Sequence, residues 1–229
     1  MKNIVIFTGS GISAESGLRT FRDSDGLWEE YAIADVATPE AWGKNPKLVQ
    51  TFYNERRKQV LEAEPNAAHL ALVELEQKYN VTVITQNIDD LHERAGSTKV
   101  VHLHGEIRKS RSSRYHHLIY DIDGWELSID SVCEKGFPLR PYIVWFGEAV
   151  PMMDHAISHV QSAEILIVIG TSLEVYPAAS LLNFTLPGTK KYLIDPAAQN
   201  FSGLQDLTII KEKAGIAVPL LVRELLNKS

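Results

Sequence analysis

A chain of 229 residues with 45% apolar content can bury a sizeable core as one domain, with at most a small appended module. Its formal charge of −6 and pI near 5.8 argue against nucleic-acid binding, which calls for a basic surface. There is no run of about 18 apolar residues, and the single cysteine, Cys133, excludes an internal disulfide framework. A cytoplasmic protein without membrane span or signal peptide is therefore expected.

Residues 4–7 read as a buried strand that opens into Gly9-Ser10-Gly11, with Ala14 three residues further on. This is the G-x-G-x-x-G/A pattern of a phosphate turn in a dinucleotide fold. The glycines would admit a pyrophosphate, and the start of the following helix would offer free N–H groups. A dehydrogenase would continue into a second strand ending in an acidic residue. Residues 19–26 are instead polar and rich in turn formers, as in a loop folding over a ligand. Hydride transfer is thus not the first expectation.

Asn45 and Pro46 supply an N-cap and first turn for a helix over residues 46–63. On its wheel Val49, Phe52, Tyr53, Arg56 and Val60 share one stripe, while Arg57 and Lys58 point away. Further helices are predicted at 67–79, 154–161 and 215–227. Apolar, β-branched runs at 81–85, 100–103, 142–146, 165–169, 192–194 and 207–210 suit strands covered on both faces. The alternation indicates an α/β fold: a Rossmann-like parallel sheet with helices on both faces and its ligand crevice at the carboxyl strand ends. Polar clusters stand at those ends: Gln86-Asn87-Ile88-Asp89-Asp90, His104-Gly105-Glu106 and Gly170-Thr171-Ser172. Each could merely cap a helix. Three of them on one sheet edge, beside a glycine-rich turn, make a shared site the better reading.

Taken together these residues resemble the sirtuin family of NAD-dependent protein deacylases. The matching segments are GSGISAESGLRTFRDSDGLW, TQNIDDLHERAG, HLHGE, LRPYIVWFGEAVP and GTSLEVYPAA, spread from residue 8 to residue 179. The resemblance implies a Rossmann-like domain (residues 1–34, 73–107 and 141–229) and a small module from two insertions (35–72 and 108–140). It implies that Gly9, Ser10, Gly11, Ile12, Ala14 and Glu15 surround the pyrophosphate of NAD and its ribose, under a loop carrying Phe21 and Arg22. Gln86, Asn87 and Asp89 would line the nicotinamide pocket. Gly170, Thr171 and Ser172 would contact the adenosine half, with Ala214 near the adenine. Asp195 stands where the family often has an Asn. Val144, Trp145, Phe146 and Gly147 would form a strand on which an acylated lysine peptide pairs. The acyl oxygen would attack the ribose carbon bearing nicotinamide, with His104 as the base that deprotonates a ribose hydroxyl. His102, two residues away, could face the same way. His104 is preferred because Gly105 leaves room beside it.

Many sirtuins hold a structural zinc with two C-x-x-C pairs. Here Ser112, Tyr115 and Gly136 stand near three of those positions and only Cys133 remains, so no metal is expected. Adjacent His116 and His117 would point to opposite faces of an extended segment. Asp123-Gly124 instead predicts a hairpin in which Ile122 pairs with Trp125, Tyr120 with Leu127, and Leu118 with Ile129. All six would share one face, each contributing roughly 1.5–3 kcal/mol gross, against about 10–16 kcal/mol apparent for a structural zinc.

Tyr53 and Arg56, three apart and hence neighbours, resemble the Tyr-x-x-Arg pair of sirtuins that remove succinyl and malonyl groups. Arg can hold an acyl carboxylate bidentately, and Tyr adds a donor. The implied activity is deacylation of protein lysines with preference for acidic acyl groups, acetyl-lysine remaining a possible substrate. The expected partners are acylated lysines of proteins or peptides, with no nucleic acid or membrane, and the expected state is a monomer. The rival uses of such a site are mono-ADP-ribosyl transfer, NAD hydrolysis, and NAD sensing without catalysis.

Overall fold

The computed structural model describes residues 1–19, 31–171, 173, 176–198 and 205–228. Strands β1 (Asn3–Thr8), β2 (Asn80–Thr85), β3 (Val100–His102), β7 (Ile165–Ile169), β8 (Lys190–Ile194) and β9 (Leu207–Ile210) make one six-stranded parallel sheet. Its order, β3-β2-β1-β7-β8-β9, reverses direction between β1 and β7, where an open parallel sheet leaves its crevice. Alternation within β1 shows why the sheet is covered twice. Ile4 and Ile6 pack in one cluster with the long helices, Val5 and Phe7 in another on the opposite face.

The first face carries α5 (Ala67–Glu74) and α8 (Ala214–Asn227), joined through Leu72, Leu75, Leu221 and Val222. The second carries α7 (Met153–Gln161) and the short 3₁₀ segment Ala178–Phe184. Helix α5 thus lies in the large core, although residues 67–72 are expected in the small module.

Beyond the sheet edge sits the smaller body. It contains α2 (Ile33–Val36), α3 (Pro39–Lys44), α4 (Pro46–Glu62) and a three-stranded antiparallel sheet. The strands of that sheet are β4 (Gly105–Ser112), β5 (Ile119–Asp121) and β6 (Leu139–Ile143), in the order β5-β4-β6. Asn45 caps α4 as expected, its side chain accepting from the Leu48 N–H at 3.1 Å, with Pro46 in the first turn. Helix α6 (Leu91–Ala95) follows β2 and ends at Gly96 with φ 108, a left-handed stop that favours glycine.

Two expectations fail here. The run 142–146 is not a strand of the parallel sheet. Its strand ends at Ile143 and runs antiparallel to β4. The hairpin across Asp123-Gly124 also does not form. Residues 119–121 pair with β4, Ser110 opposite Tyr120, and residues 125–127 dock on helix α4 instead.

Polar chemistry on α4 explains the docking. Leu127 donates its N–H to Asn54 Oδ1 at 3.0 Å, and its carbonyl accepts from Gln50 Nε2 and Asn54 Nδ2 at 2.7 and 3.0 Å. Arg57, expected to point away, is fully buried. Its Nε donates to Ile107 O at 2.6 Å, and its Nη1 to Trp125 O and Asn54 Oδ1, each at 2.7 Å. The helix is covered on two sides, so a one-stripe wheel misreads it. Of the six residues expected on one hairpin face, Ile122 and Leu127 are buried with Cys133 and Leu139. Leu118 and Tyr120 pack against them, whereas Trp125 and Ile129 are exposed. Ser112 and Cys133 touch through a sulfur–hydroxyl hydrogen bond of 3.3 Å. No group of three or more His, Cys, Asp or Glu able to hold a metal exists among the described residues.

Because Asn54 serves Leu127 and Arg57 at once, Asn54→Ala leaves the buried Leu127 N–H without an acceptor and Arg57 Nη1 with Trp125 O alone. At about 1–3 kcal/mol for such a group the thermal midpoint should fall by roughly 2–12 °C. Scanning calorimetry of the variant checks this, and added zinc should not restore the loss.

Candidate active site

The Gly9–Gly11 turn meets the Gly170–Thr171 turn at the switch point. Gly9 N–H donates to Ile169 O and Gly11 N–H to Gly170 O, at 3.0 and 2.9 Å. A Cβ on Gly9 would lie 2.7 Å from Gly170 O, and one on Gly11 2.7 Å from Gly170 Cα. These glycines are therefore required by the neighbouring chain as well as by any ligand. Helix α1 (Gly11–Ala14) is a single turn. The N–H groups of Ile12 and Ser13 already bond to Gly9 O and Ser10 O, so most of the free donors expected there are taken. Ile12 is fully buried in the core, a packing residue.

Ser13 joins this turn to the segment after β2. Its hydroxyl donates to Asp89 Oδ2 at 3.1 Å and accepts from Asn87 Nδ2 at 3.1 Å, and Asn87 Nδ2 also donates to Gly9 O at 3.1 Å. With both amide protons used, the Asn87 carbonyl oxygen has no donor among the described residues. Asp89 Oδ1 accepts from Leu91 N at 3.2 Å. Burial pushes the Asp89 carboxyl up, against the lowering effect of those hydrogen bonds and of the Arg56 charge. Gln86 Nε2 reaches Thr171 Oγ1 at 3.2 Å, tying the segment to the Gly170–Thr171 turn.

The two histidines after β3 differ in their partners. His104 Nδ1 lies 3.0 Å from Gln86 O, a pure acceptor, so Nδ1 carries the proton and Nε2 keeps a lone pair. Burial lowers its pKa, opposed by that hydrogen bond, and the ring stays neutral. His102 has no such freedom. Its Nδ1 faces Asn87 O at 3.1 Å and its Nε2 faces Glu93 Oε1 at 2.7 Å. Burial lowers its pKa too, but Glu93, Glu106 and the Asn87 carbonyl outweigh it and raise the net value. Both nitrogens of His102 are engaged, so it has none free.

Helix α4 carries Tyr53 and Arg56, both buried. Arg56 Nη2 donates to Arg19 O at 3.0 Å, whereas its buried Nε and Nη1 have no partner among the described residues. Burial lowers the guanidinium pKa, partly offset by Asp89. Tyr53 accepts from Trp145 Nε1 at 3.1 Å, and burial pushes its phenol up. The hydroxyl proton of Tyr53 has no acceptor among the described residues.

Trp145 is fixed from below. Its N–H donates to Glu148 Oε2 at 2.8 Å, Arg140 grips Glu148 at 2.8 and 3.0 Å, and the Arg140 guanidinium stacks 3.2 Å over the indole. This capture ends the strand at Ile143, so 144–147 does not continue it. Val144 N–H donates to His104 O at 2.9 Å and Phe146 N–H to Ala37 O at 3.0 Å. Phe146 is exposed, and Gly147 turns away with φ 89.

Glu15 caps α8 through Gly215 N at 2.8 Å, beside buried Ala214. Asp195 uses its carboxylate on Ala197 N at 2.8 Å, closing its own turn. Phe21, Arg22 and Ser172 lie outside the described residues.

The architecture has close counterparts. A mutant Sir2 homologue solved as its ADP-ribose complex superposes with a TM-score of 0.91 at 40% identity, covering 99% of this chain and 93% of that one. A Sir2 homologue solved as an NAD complex gives 0.90 at 39% identity, covering 99% and 90%. The model of the Sir2 family matches residues 9–177. The chain belongs to the Sir2 family. Among curated relatives, an NAD-dependent protein deacylase of Helicobacter pylori (strain ATCC 700392 / 26695) is 52% identical over 229 residues, 99% of each chain. One of Bacteroides thetaiotaomicron is 50% identical over 223 residues, 95% of each.

Sequence reasoning missed Ser13 as the junction of this Sir2 site, and Arg140 and Glu148 as the support of Trp145. The Ser lies inside the glycine motif, and the ion pair inside LRPYIVWFGE, so both were in view without a spacing rule to single them out.

Behind the site, His69 and His92 are buried. Desolvation lowers His69 from 6.5 to about 4 and pushes His92 well down. Both rings are neutral in the fold, and an unfolded chain binds protons first as pH falls. Stability complete above pH 6.5 should be lost between 6.5 and about 4, by roughly 3 kcal/mol from His69 alone. His102 acts oppositely, its raised pKa adding stability at low pH that is lost as pH rises through it. Urea titrations at pH 7.5, 6 and 5 should show falling unfolding free energy, with a shallower fall in His69→Gln.

Proposed function

We propose that this chain is an NAD-dependent protein-lysine deacylase that favours acyl groups ending in a carboxylate, such as succinyl and malonyl. The supporting observation is a buried Arg56 with two nitrogens unpartnered among the described residues, its charge felt by both Tyr53 and Asp89, together with a His104 ring held through Nδ1 alone. The residues at the sheet's switch point suit NAD. Asn87 and Asp89 offer oxygen acceptors for a carboxamide, Gln86 joins both turns, and Glu15 and Ala214 stand together on the adenosine side. NAD supplies a ribose carbon whose bond to nicotinamide breaks when the acyl oxygen attacks it.

His104 is then the base. The Gln86 carbonyl fixes its tautomer, burial keeps it neutral, and Nε2 takes the ribose hydroxyl proton. His102 cannot replace it, because both its nitrogens are engaged. Arg56 reads the acyl end. Leaving a buried donor unmade costs about 1–3 kcal/mol, which a bidentate carboxylate would offset. With its oxygen occupied by Trp145, Tyr53 is left to donate its proton to the same carboxylate. Acetyl-lysine would fit but leave Arg56 unsatisfied. ADP-ribosyl transfer or NAD hydrolysis would need neither Arg56 nor Tyr53. A non-catalytic sensor would have no use for the free nitrogen of His104.

His104→Ala should reduce deacylation by about 10²- to 10⁴-fold while calorimetry still registers NAD binding. Arg56→Met should lower kcat/KM on succinyl-lysine peptide by about 10- to 150-fold and change the acetyl-lysine value far less. Equal losses on both peptides would refute the carboxylate-reading role. Mass spectrometry should find O-acyl-ADP-ribose rather than free ADP-ribose.

A further inference from the structure

The segment carrying Asn87 and Asp89 rests on a buried hydrogen-bonded chain that never reaches the cleft. Asn87 N–H donates to Thr85 Oγ1 at 3.0 Å, Thr8 Oγ1 donates to Thr85 Oγ1 at 2.8 Å, and His92 Nε2 lies 3.0 Å from Thr8 Oγ1. Thr8 and Thr85 are register partners at the ends of β1 and β2, both fully buried, and His92 is 1% exposed. None of the three can touch a ligand. With the Thr8 proton committed to Thr85, Thr8 can only accept from His92, so His92 carries its proton on Nε2.

The other side of His92 is equally constrained. Its Nδ1 is buried without a partner among the described residues, and the His69 ring packs edge-to-face on it with centroids 4.9 Å apart. His69 Nδ1 accepts from Asn66 N at 3.3 Å, and Asn66 Nδ2 donates to Ile12 O at 2.8 Å. The packed rings thus connect the helix of the glycine turn to the segment after β2. The cost of an orphaned nitrogen on each ring is tolerated here.

We propose that His92 is a positioning residue for the nicotinamide pocket, holding the Asn87 peptide in place through Thr8 and Thr85. This rests on the reading of 86–89 as that pocket. The role is local: it should govern nicotinamide and turnover and leave the ADP-ribose portion of the site unchanged.

The test uses the full chain and substitutions at Thr8 that conserve shape. Thr8→Val deletes the hydroxyl, and Thr8→Ser restores it. Three quantities are measured: inhibition of deacylation by nicotinamide, kcat, and ADP-ribose affinity by calorimetry. Thr8→Val should weaken nicotinamide inhibition and lower kcat by about tenfold each, with ADP-ribose affinity within about twofold, and Thr8→Ser should recover both losses. His92→Gln, whose amide nitrogen can stand in for Nε2, should retain more activity than His92→Leu, which keeps the comparison available if Thr8→Val does not fold. Unchanged nicotinamide inhibition in Thr8→Val, or an equal loss of ADP-ribose affinity, would overturn the proposal. Absence of nicotinamide release by the unaltered chain would refute the underlying reading instead, and this role with it.

Discussion

The site depends on how two consecutive peptides, those of Gln86 and Asn87, are held at the end of β2. His104 binds the first carbonyl and His102 the second, while Thr85 accepts the Asn87 N–H. The Asn87 side chain then fastens the segment to Gly9 O and Ser13. Loops at strand ends normally carry unsatisfied backbone groups and move. Here those groups are met by side chains from three elements, so the segment is part of the rigid scaffold. The histidine argued to do chemistry and the one that does not are separated by this arrangement, since each is defined by the carbonyl it holds.

Buried arginines decide which features belong to the fold and which to substrate. Arg57 makes three hydrogen bonds and leaves one nitrogen orphaned, and desolvation lowers its pKa to about 10. Arg140 makes three bonds, two of them to Glu148, and also leaves one nitrogen. Arg56 makes one bond and leaves two. A buried charge that is paired is structure, whereas one left open beside a cleft is an invitation to an anion. The difference lies in bond counts, since all three are comparably hidden from water.

Much of the large domain was legible because its signals are local. Strand runs at 81–85, 165–169 and 207–210 matched nearly to the residue, since parallel strands covered on both faces leave continuous apolar runs. The Asn45 cap and helix α4 were readable for the same reason. The smaller body was not. Strand β4 reads GEIRKSRS, a polar string whose burial comes from Glu148, Arg57 and the chain folding over it. Asp123-Gly124 was a correct turn signal, with Gly124 at φ 70, attached to the wrong pairing. The partner of residues 125–127 was a helix some 70 positions earlier, a choice set by Asn54 and Gln50 that alternation cannot reveal.

These facts meet on α4. Tyr53 and Arg56 lie buried on one side of the helix, and Asn54 and Arg57, one step further round, hold residues 125–127. A side chain that must meet an acyl carboxylate bidentately tolerates little displacement, because both donors lie on one rigid plane. A flexible module would carry α4 with it and blur that plane. The Asn54–Arg57 clamp secures the module on the helix itself, within one turn of Arg56. The helix turn that holds residues 125–127 through Asn54 and Arg57 is thus the turn that carries Tyr53 and Arg56.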